Sequence, residues 1–163
     1  MLQRVSNLPG GKSRRNVPAA DLTTLGVGGP CLQYTEIENL AEYRQVYAAA
    51  RRANLPTLVI GEGSNLLFLD HGFAGLVIRN RITGRNRDGV EVEVGGGEDL
   101  SGVIRWLNRH RLSGLERLYG IPGTVAGALV GNAGAFGQWS KKRSNVFSTA
   151  GSITTDLPGY AAL

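Results

Sequence analysis

The amino-acid sequence predicts an α+β fold, because helix-like and strand-like segments are mixed along one chain. Two stretches, 39–53 and 100–111, place apolar residues at steps of three and four, which is typical of an amphipathic helix. Two short apolar runs, 58–60 and 75–78, have the length and composition of strands, and Val and Glu alternate over 90–94 as in a half-exposed strand. With 163 residues and no internal repeat, the chain suits one domain of ordinary size.

Composition and charge narrow the class of protein. An apolar content of 42% and a charged content of 19% are typical of a globular chain. The net charge of +5 comes from scattered basic residues without interleaved aromatics, so no nucleic-acid partner is expected. Cys31 is the single cysteine, and neither a signal peptide nor an uninterrupted membrane span is recognisable. We therefore expect a cytoplasmic monomer with no metal site and no membrane partner.

The first elements along the chain are a tail and a strand. Residues 1–18 are polar and loop-like and are predicted to form a flexible tail, which leaves 19–163 as the domain. Glycines and a proline at 26–30 predict an irregular turn. The loose alternation from 31 to 37 then predicts a strand.

Both predicted helices carry recognisable start signals. Asn39 is expected to cap the helix at 39–53, with Glu42 reaching back as in a capping box. Asp99 is expected to begin the helix at 100–111, which places its apolar face toward the core. The residues of that face are Leu100, Val103, Ile104 and Leu107.

The stretch LVIGEGSNLLF, residues 58–68, holds a glycine-punctuated polar turn between two apolar runs. The pattern predicts strand–turn–strand, with 66–69 as the second strand. The dinucleotide fingerprint G-x-G-x-x-G fails here, because Leu66 stands where its third glycine belongs. Successive backbone N–H groups in such a turn can bind an anion, but the same residues also suit a plain hairpin loop. Both interpretations remain open at this point.

A second glycine cluster, GIPGTVAGALVGNAGAFG, occupies 120–137. Pro122 suits a helix start, and the N–H groups that follow it would be free to attract phosphate. Gly123, Gly127 and Gly131, spaced by four, would give that helix a smooth face for a ligand or for close packing. Two glycine-rich turns in one small domain suggest a shared cleft.

These two motifs, together with TTLGVGGPC at 23–31, resemble the UDP-N-acetylenolpyruvoylglucosamine reductase family of peptidoglycan precursor synthesis. The resemblance runs from about residue 23 to residue 138, in the family's order of elements. It implies an α+β FAD-binding domain of the vanillyl-alcohol-oxidase-like (PCMH) type with two subdomains. It also implies a C-terminally truncated domain from which the substrate domain is absent.

The resemblance further implies that FAD is the cofactor and that its pyrophosphate is wrapped by the first glycine turn, largely through backbone N–H groups. The residues near the flavin and those lining the cofactor's other side would come from the two remaining motifs. The implied cofactor contacts are Thr24, Leu25, Gly61, Glu62, Gly63, Ser64, Asn65, Leu66, Ile121, Pro122, Gly123, Thr124, Gly127, Asn132, Gly134 and Ala135.

The implied activity of the family is an NADPH-dependent, flavin-mediated oxidoreduction in cell wall biogenesis, and hence in cell shape and division. Its enzymes reduce UDP-N-acetylglucosamine enolpyruvate to UDP-N-acetylmuramate. The family's catalytic Tyr-Arg pair, serine and glutamate are assigned no counterpart here, so no catalytic residue is predicted. Ser152, in STAGS, is either a turn residue or an echo of the family's serine proton donor.

One departure from the family's pattern and two rival functions accompany the resemblance. Thr23 stands where the family usually has asparagine. The rivals are a non-catalytic FAD-binding module, or inactive fragment, and a different oxidase of the same flavoprotein superfamily. Arg79, Arg81 and Arg85 either bind phosphate or end solvated strands, and His110 is expected to be a surface residue.

Overall fold

A computed structural model describes residues 13–139 of the chain. These residues form two compact units, one extending to Arg81 and the other beginning at Ile82. Both units contain strands and helices, so the predicted α+β architecture is confirmed. No helix in the described part of the chain is long and apolar enough to cross a membrane.

The first unit is built on a four-stranded sheet in the order β1-β2-β4-β3. β1 is antiparallel to β2, whereas β2, β4 and β3 run parallel. A short 3-10 helix follows β1, and the helix α1 carries the chain from β2 to β3. The bounds are Arg14–Pro18 for β1, Ala19–Leu22 for the 3-10 helix, Pro30–Ile37 for β2, Leu40–Arg52 for α1, Thr57–Ile60 for β3 and Phe73–Asn80 for β4.

The predicted cap of α1 is confirmed in its main feature. The Asn39 side chain accepts a hydrogen bond from the Glu42 N–H at 2.9 Å. The Glu42 carboxylate accepts from the N–H of Glu38, at 2.8 Å, one residue before the position that a capping box uses. Val46 and Ala50 are buried, as the periodicity predicted.

The predicted second strand at 66–69 is wrong. β3 and β4 are parallel, and a tight hairpin cannot join parallel strands, so 61–72 must carry the chain back along the sheet. Phe68 points into the core, while Leu67 and Leu69 are 55% and 61% exposed. The side chains therefore alternate as in a strand, but the described structure assigns no strand to 66–69.

The predicted flexible tail at 1–18 is wrong over its last residues. Residues 14–18, assigned to the tail, form the edge strand β1, while residues 1–12 lie outside the described part of the chain. Val17 is buried, and the Arg14 guanidinium lies 4.7 Å from the centre of the Tyr34 ring. An edge strand with one buried side chain leaves too weak a sequence pattern for prediction. The core consists of Val17, Ala19, Leu22, Cys31, Tyr34, Ile60, Phe68 and Val77.

The second unit combines a hairpin, two helices and short connecting elements. Its core consists of Leu100, Val103, Ile104, Leu107, Leu115, Leu118, Val125 and Ala128. The bounds are Arg85–Asp88 for β5, Glu91–Val94 for β6, Leu100–Arg109 for α2, Glu116–Leu118 for a 3-10 helix, Val125–Val130 for α3, Gly134–Ala135 for β7 and Gln138–Trp139 for β8.

Helix α2 was predicted accurately, whereas only one strand, β6, of the β5–β6 hairpin was predicted. The Asp99 carboxylate caps α2 by accepting from the Gly102 N–H at 2.6 Å, and the whole predicted apolar face is buried. Strand β5 was not predicted, because every residue of Arg85–Asp88 is exposed and polar. It forms through its backbone pairing with β6.

The interpretation of His110 as a plain surface residue is wrong. His110 ends α2, is partly buried, and places its Nδ1 2.8 Å from the Trp106 carbonyl oxygen. The centres of the two rings are 4.3 Å apart. The imidazole therefore serves to close the end of the helix.

Candidate functional site

The glycine turn at 61–65 requires its central glycine. Gly63 has φ of +72°, a left-handed conformation that side chains disfavour. A Cβ there would collide with the Leu22 carbonyl oxygen and would lie 2.9 Å from the Thr23 Cα. The Thr24 N–H donates to the Gly63 carbonyl at 3.3 Å. The structure thus brings two predicted site residues, Thr24 and Gly63, into direct contact.

The backbone of this turn holds unused donors. Within residues 13–139, the N–H groups of Gly61, Glu62, Gly63 and Asn65 donate to no other group. Of the four residues only Gly63 is buried, and a turn that leaves several backbone N–H groups unpaired can bind an anion. The turn therefore has donors of the kind that the pyrophosphate implied by the family resemblance would need.

The Glu62 side chain points to an arginine. Its carboxylate lies 2.5 Å from Arg81 Nη1, and the same guanidinium is 3.9 Å from Glu36. A free carboxylate beside a phosphate would repel it. Pairing with Arg81 reduces that repulsion, which leaves the backbone as the anion-facing part of the turn.

A buried tyrosine extends this polar network into the core. The Tyr34 hydroxyl donates to Glu36 at 2.5 Å. Burial, followed by that hydrogen bond, raises the pKa of Tyr34 to about 12. The same hydrogen bond is the main cause that holds the pKa of Glu36 below its ordinary value. A chain of polar contacts therefore links Tyr34 through Glu36 and Arg81 to Glu62 in the glycine turn.

Arg79 is not the solvated strand end that was one of its two predicted interpretations, and its binding of phosphate stays a prediction. Its Nη2 donates to the Leu22 carbonyl at 2.8 Å, across 57 positions of sequence. Its Nε is buried without a hydrogen-bond partner in the described part of the chain, as is the Thr23 hydroxyl. Sequence reasoning missed the Leu22 contact because nothing local indicates a partner so distant along the chain.

Arg85, in the second unit, is also neither free nor merely solvated. Its Nη2 lies 2.6 Å from the Glu98 carboxylate. Burial acts to raise the pKa of Glu98, but hydrogen bonds from Arg85 and from the Gly84 N–H outweigh it and lower that pKa. The pair holds β5 against the loop that precedes α2, which is a structural role.

The remaining predicted residues of the first unit differ in what they offer a ligand. Thr24, Leu25 and Asn65 are exposed, Leu25 to 59%. Leu66 is partly buried and packs on the core of the unit. Ser64 is half-buried. Among the described residues, no group of three His, Cys, Asp or Glu side chains lies close enough together to hold a metal ion.

In the second unit, the predicted helix start at Pro122 is wrong. α3 begins at Val125, and Thr124 caps it by accepting from the Gly127 N–H at 3.2 Å. A threonine hydroxyl at this position satisfies a donor that a helix start otherwise leaves unpaired. Thr124, a predicted cofactor contact, is therefore buried and engaged in its own helix.

The prediction of free N–H groups after Pro122 does not extend into α3 itself, whose first donors are bonded. The Val125 N–H donates to the Glu98 carbonyl at 2.9 Å, and the Ala126 N–H donates to the Gly96 carbonyl at 3.0 Å. With Gly127 bonded to its cap, the first three N–H groups of α3 are paired. The sequence could not show this, because the acceptors lie in a loop almost 30 positions earlier.

The small-residue face of α3 is open within its unit. Gly127 is exposed, and among the described residues a Cβ there would meet only the Thr124 hydroxyl, at 3.2 Å. A Cβ at Gly131 would meet only the Gly127 carbonyl, at 3.3 Å. The alternative of close packing against another described element is therefore not supported.

The other predicted contacts surround α3. Ile121 packs on the core of the unit, and Gly123 has φ of +119°. Asn132 takes a left-handed φ of +46° where the chain turns out of α3. Gly134 is exposed and Ala135 half-buried in β7.

Sequence comparison finds the FAD binding domain family over residues 32–149, which is most of the chain. Similar curated proteins include the UDP-N-acetylenolpyruvoylglucosamine reductases of Solibacter usitatus (strain Ellin6076) and Synechococcus sp. (strain JA-3-3Ab). The first is 35% identical over 86% of this chain and 45% of its own length. The second is 42% identical over 78% of this chain and 42% of its own length.

Structure comparison agrees. A crystal structure of UDP-N-acetylenolpyruvylglucosamine reductase from Thermus caldophilus matches 76% of this chain and 44% of that chain. Its TM-score is 0.62 and its sequence identity is 39%. The chain thus spans less than half the length of these relatives. The resemblance predicted from the sequence motifs is confirmed.

Proposed function

The chain belongs to the FAD binding domain family, and on that premise we propose that it is the flavin-binding part of a peptidoglycan-precursor reductase. FAD is the cofactor of the family, and the predicted α+β FAD-binding fold accords with that assignment. The proposed substrate is UDP-N-acetylglucosamine enolpyruvate, the proposed product UDP-N-acetylmuramate, and the proposed reductant NADPH. When bound, FAD would supply the hydride-transfer chemistry.

The unpaired N–H groups of the glycine turn carry this proposal. They offer several backbone donors to one anion within a single turn. Thr24 is bonded to the same turn, and the exposed Leu25 follows it. We assign the pyrophosphate to Gly61, Glu62, Gly63, Ser64, Asn65 and Leu66, and the flavin side to Thr24 and Leu25.

In the second unit we propose the same cofactor contacts, but we no longer assign the start of α3 to a phosphate. Because the first N–H groups of α3 are already bonded, its helix terminus offers little to a phosphate. The exposed glycine face of α3 and the turn that follows it are the surfaces a flat ligand can approach. The proposed contacts there are Ile121, Pro122, Gly123, Thr124, Gly127, Asn132, Gly134 and Ala135.

A second candidate function is a flavin-binding module without catalysis of its own. The chain covers 45% and 42% of the lengths of the two curated relatives named above, so only the binding of FAD is common to both candidates. The predicted cytoplasmic location and monomeric state belong to the proposal in either case. Ser152 lies outside the described residues.

The test is a visible absorption spectrum of the purified chain after FAD is added and the excess removed by desalting. A retained flavin band supports the FAD site, and its absence from a folded chain contradicts it. Anaerobic NADPH that bleaches the band supports a reductase part, whereas an unchanged band favours the module. A change in the band on adding UDP-N-acetylglucosamine enolpyruvate argues against a different oxidase of the superfamily.

A further inference from the structure

We propose that Arg79 is a positioning residue for the FAD site, holding the segment Leu22–Thr24 against the glycine turn. The inference rests on the proposed function, because it concerns how the FAD site is kept in shape. It assigns Arg79 no contact with the reacting atoms.

The geometry places Arg79 beside both sides of the site. Arg79 pairs in register with Ile60, the last residue before the turn, and with Glu36 on the other neighbouring strand. From this position, Nη2 reaches the Leu22 carbonyl at 2.8 Å. Two positions further along the chain, the Thr24 N–H bonds to the Gly63 carbonyl. The segment is therefore fixed at two points, one on the sheet and one on the turn.

Burial makes the Arg79 contact the stronger of the two arginine contacts near the turn. Leu22 is only 2% exposed, so without Arg79 its carbonyl would lose a donor that water cannot readily replace. The Arg81–Glu62 pair has side chains 37% and 45% exposed, and solvent screens such surface pairs. We therefore expect the position of Leu22–Thr24 to depend on Arg79 more than on the surface pair.

The experiment compares FAD dissociation constants, from quenching of flavin fluorescence, for the wild-type chain and three variants. Arg79→Met removes the donor and should weaken binding about tenfold. Arg79→Lys keeps a donor of similar reach and should stay within about threefold of wild type. Arg52→Met removes an exposed arginine at the end of α1 and should leave binding unchanged.

A second readout separates positioning from direct contact with the ligand. Hydrogen exchange at the Thr24 amide should become faster in Arg79→Met and should remain slow in Arg79→Lys. If Arg79→Met does not fold, Arg79→Lys still decides the matter. Slow exchange at Thr24 with near-normal FAD affinity supports positioning, whereas slow exchange with lost affinity overturns it, because the guanidinium would then act on FAD itself.

The outcomes distinguish this inference from the proposed function. A wild-type chain that binds FAD while Arg79→Met binds it within twofold overturns the positioning role and leaves the proposed function standing. A folded wild-type chain that binds no FAD overturns both.

Discussion

The two glycine-rich segments of this chain have similar compositions and opposite backbone bonding. In the turn at 61–65, four backbone N–H groups donate to nothing in the described part of the chain. At the start of α3, the N–H groups of Val125, Ala126 and Gly127 are all bonded, two to the loop before α2 and one to the Thr124 cap. The turn at 61–65 offers donors to a ligand, whereas the first turn of α3 uses its donors in hydrogen bonds within the fold.

The difference teaches that glycine content alone does not identify an anion site. In the first unit, glycine is required because another backbone segment crosses directly over Gly63. In the second unit, Gly127 is exposed, and among the described residues an added Cβ would meet only the Thr124 hydroxyl that caps α3. What separates the two is whether the chain itself supplies acceptors for the N–H groups.

The largest expected effect comes from Gly63→Ala. The new Cβ would collide with the Leu22 carbonyl oxygen, so the turn must shift. We expect FAD affinity to fall more than tenfold and the free energy of unfolding to fall by about 3 kcal/mol. Titration with FAD and urea unfolding measure the two effects.

Gly26→Ala is the matched control for that substitution. Gly26 lies in the same unit with φ of +65°, but nothing described lies within 4 Å of an added Cβ. Gly26→Ala should therefore lower the free energy of unfolding by about 1 kcal/mol, through backbone strain alone. Equal losses of stability in both variants would show that the crossing over Gly63 is unimportant.

The next largest effect is an alkaline loss of stability in the first unit. Because the pKa of Tyr34 is raised to about 12, its contribution is complete below pH 10 and is lost as the pH rises from 10 through 12. The loss should amount to about 2–3 kcal/mol. Urea unfolding between pH 8 and pH 12 should show a steeper decline for wild type than for Tyr34→Phe. The same decline in both would contradict the assignment.

A smaller effect is expected from Thr124→Ala in the second unit. Removal of the cap leaves the Gly127 N–H unpaired, which should lower the free energy of unfolding by about 1 kcal/mol. Thr124→Ser keeps the hydroxyl and should lose much less stability. Thermal unfolding followed by circular dichroism measures both variants, and equal losses would show that the cap is unimportant.

The smallest effect is expected from Glu62→Gln. The Arg81–Glu62 pair is more than a third exposed on both sides, so its loss should change stability by less than about 1 kcal/mol. FAD affinity should change by no more than about threefold, because the turn is proposed to act through its backbone. A loss of tenfold or more would mean that the carboxylate itself belongs to the site.

Local sequence signals were enough to predict the two helices that have strong capping residues and a regular apolar face. Asn39 and Asp99 both cap the helices they were predicted to begin. The Gly61–Asn65 turn could also be located, since glycines between apolar runs mark a sharp change in chain direction.

What the sequence could not predict depended on partners far along the chain. The apolar run at 66–69 fails to form a strand because β3 pairs with a parallel neighbour instead. The start of α3 depends on acceptors at Gly96 and Glu98, and Arg79 depends on Leu22. In each case the local residues allowed two structures, and a non-local contact selected one.

The most direct test of the contrast between the two segments is an amide ¹H–¹⁵N correlation spectrum recorded with and without FAD. Bound phosphate oxygens should shift the amide protons of Gly61, Glu62 and Gly63 strongly, while those of Val125 and Ala126 should change little. Large shifts at Val125 and Ala126 with an unchanged glycine turn would contradict the account, because the second segment would then be the anion site.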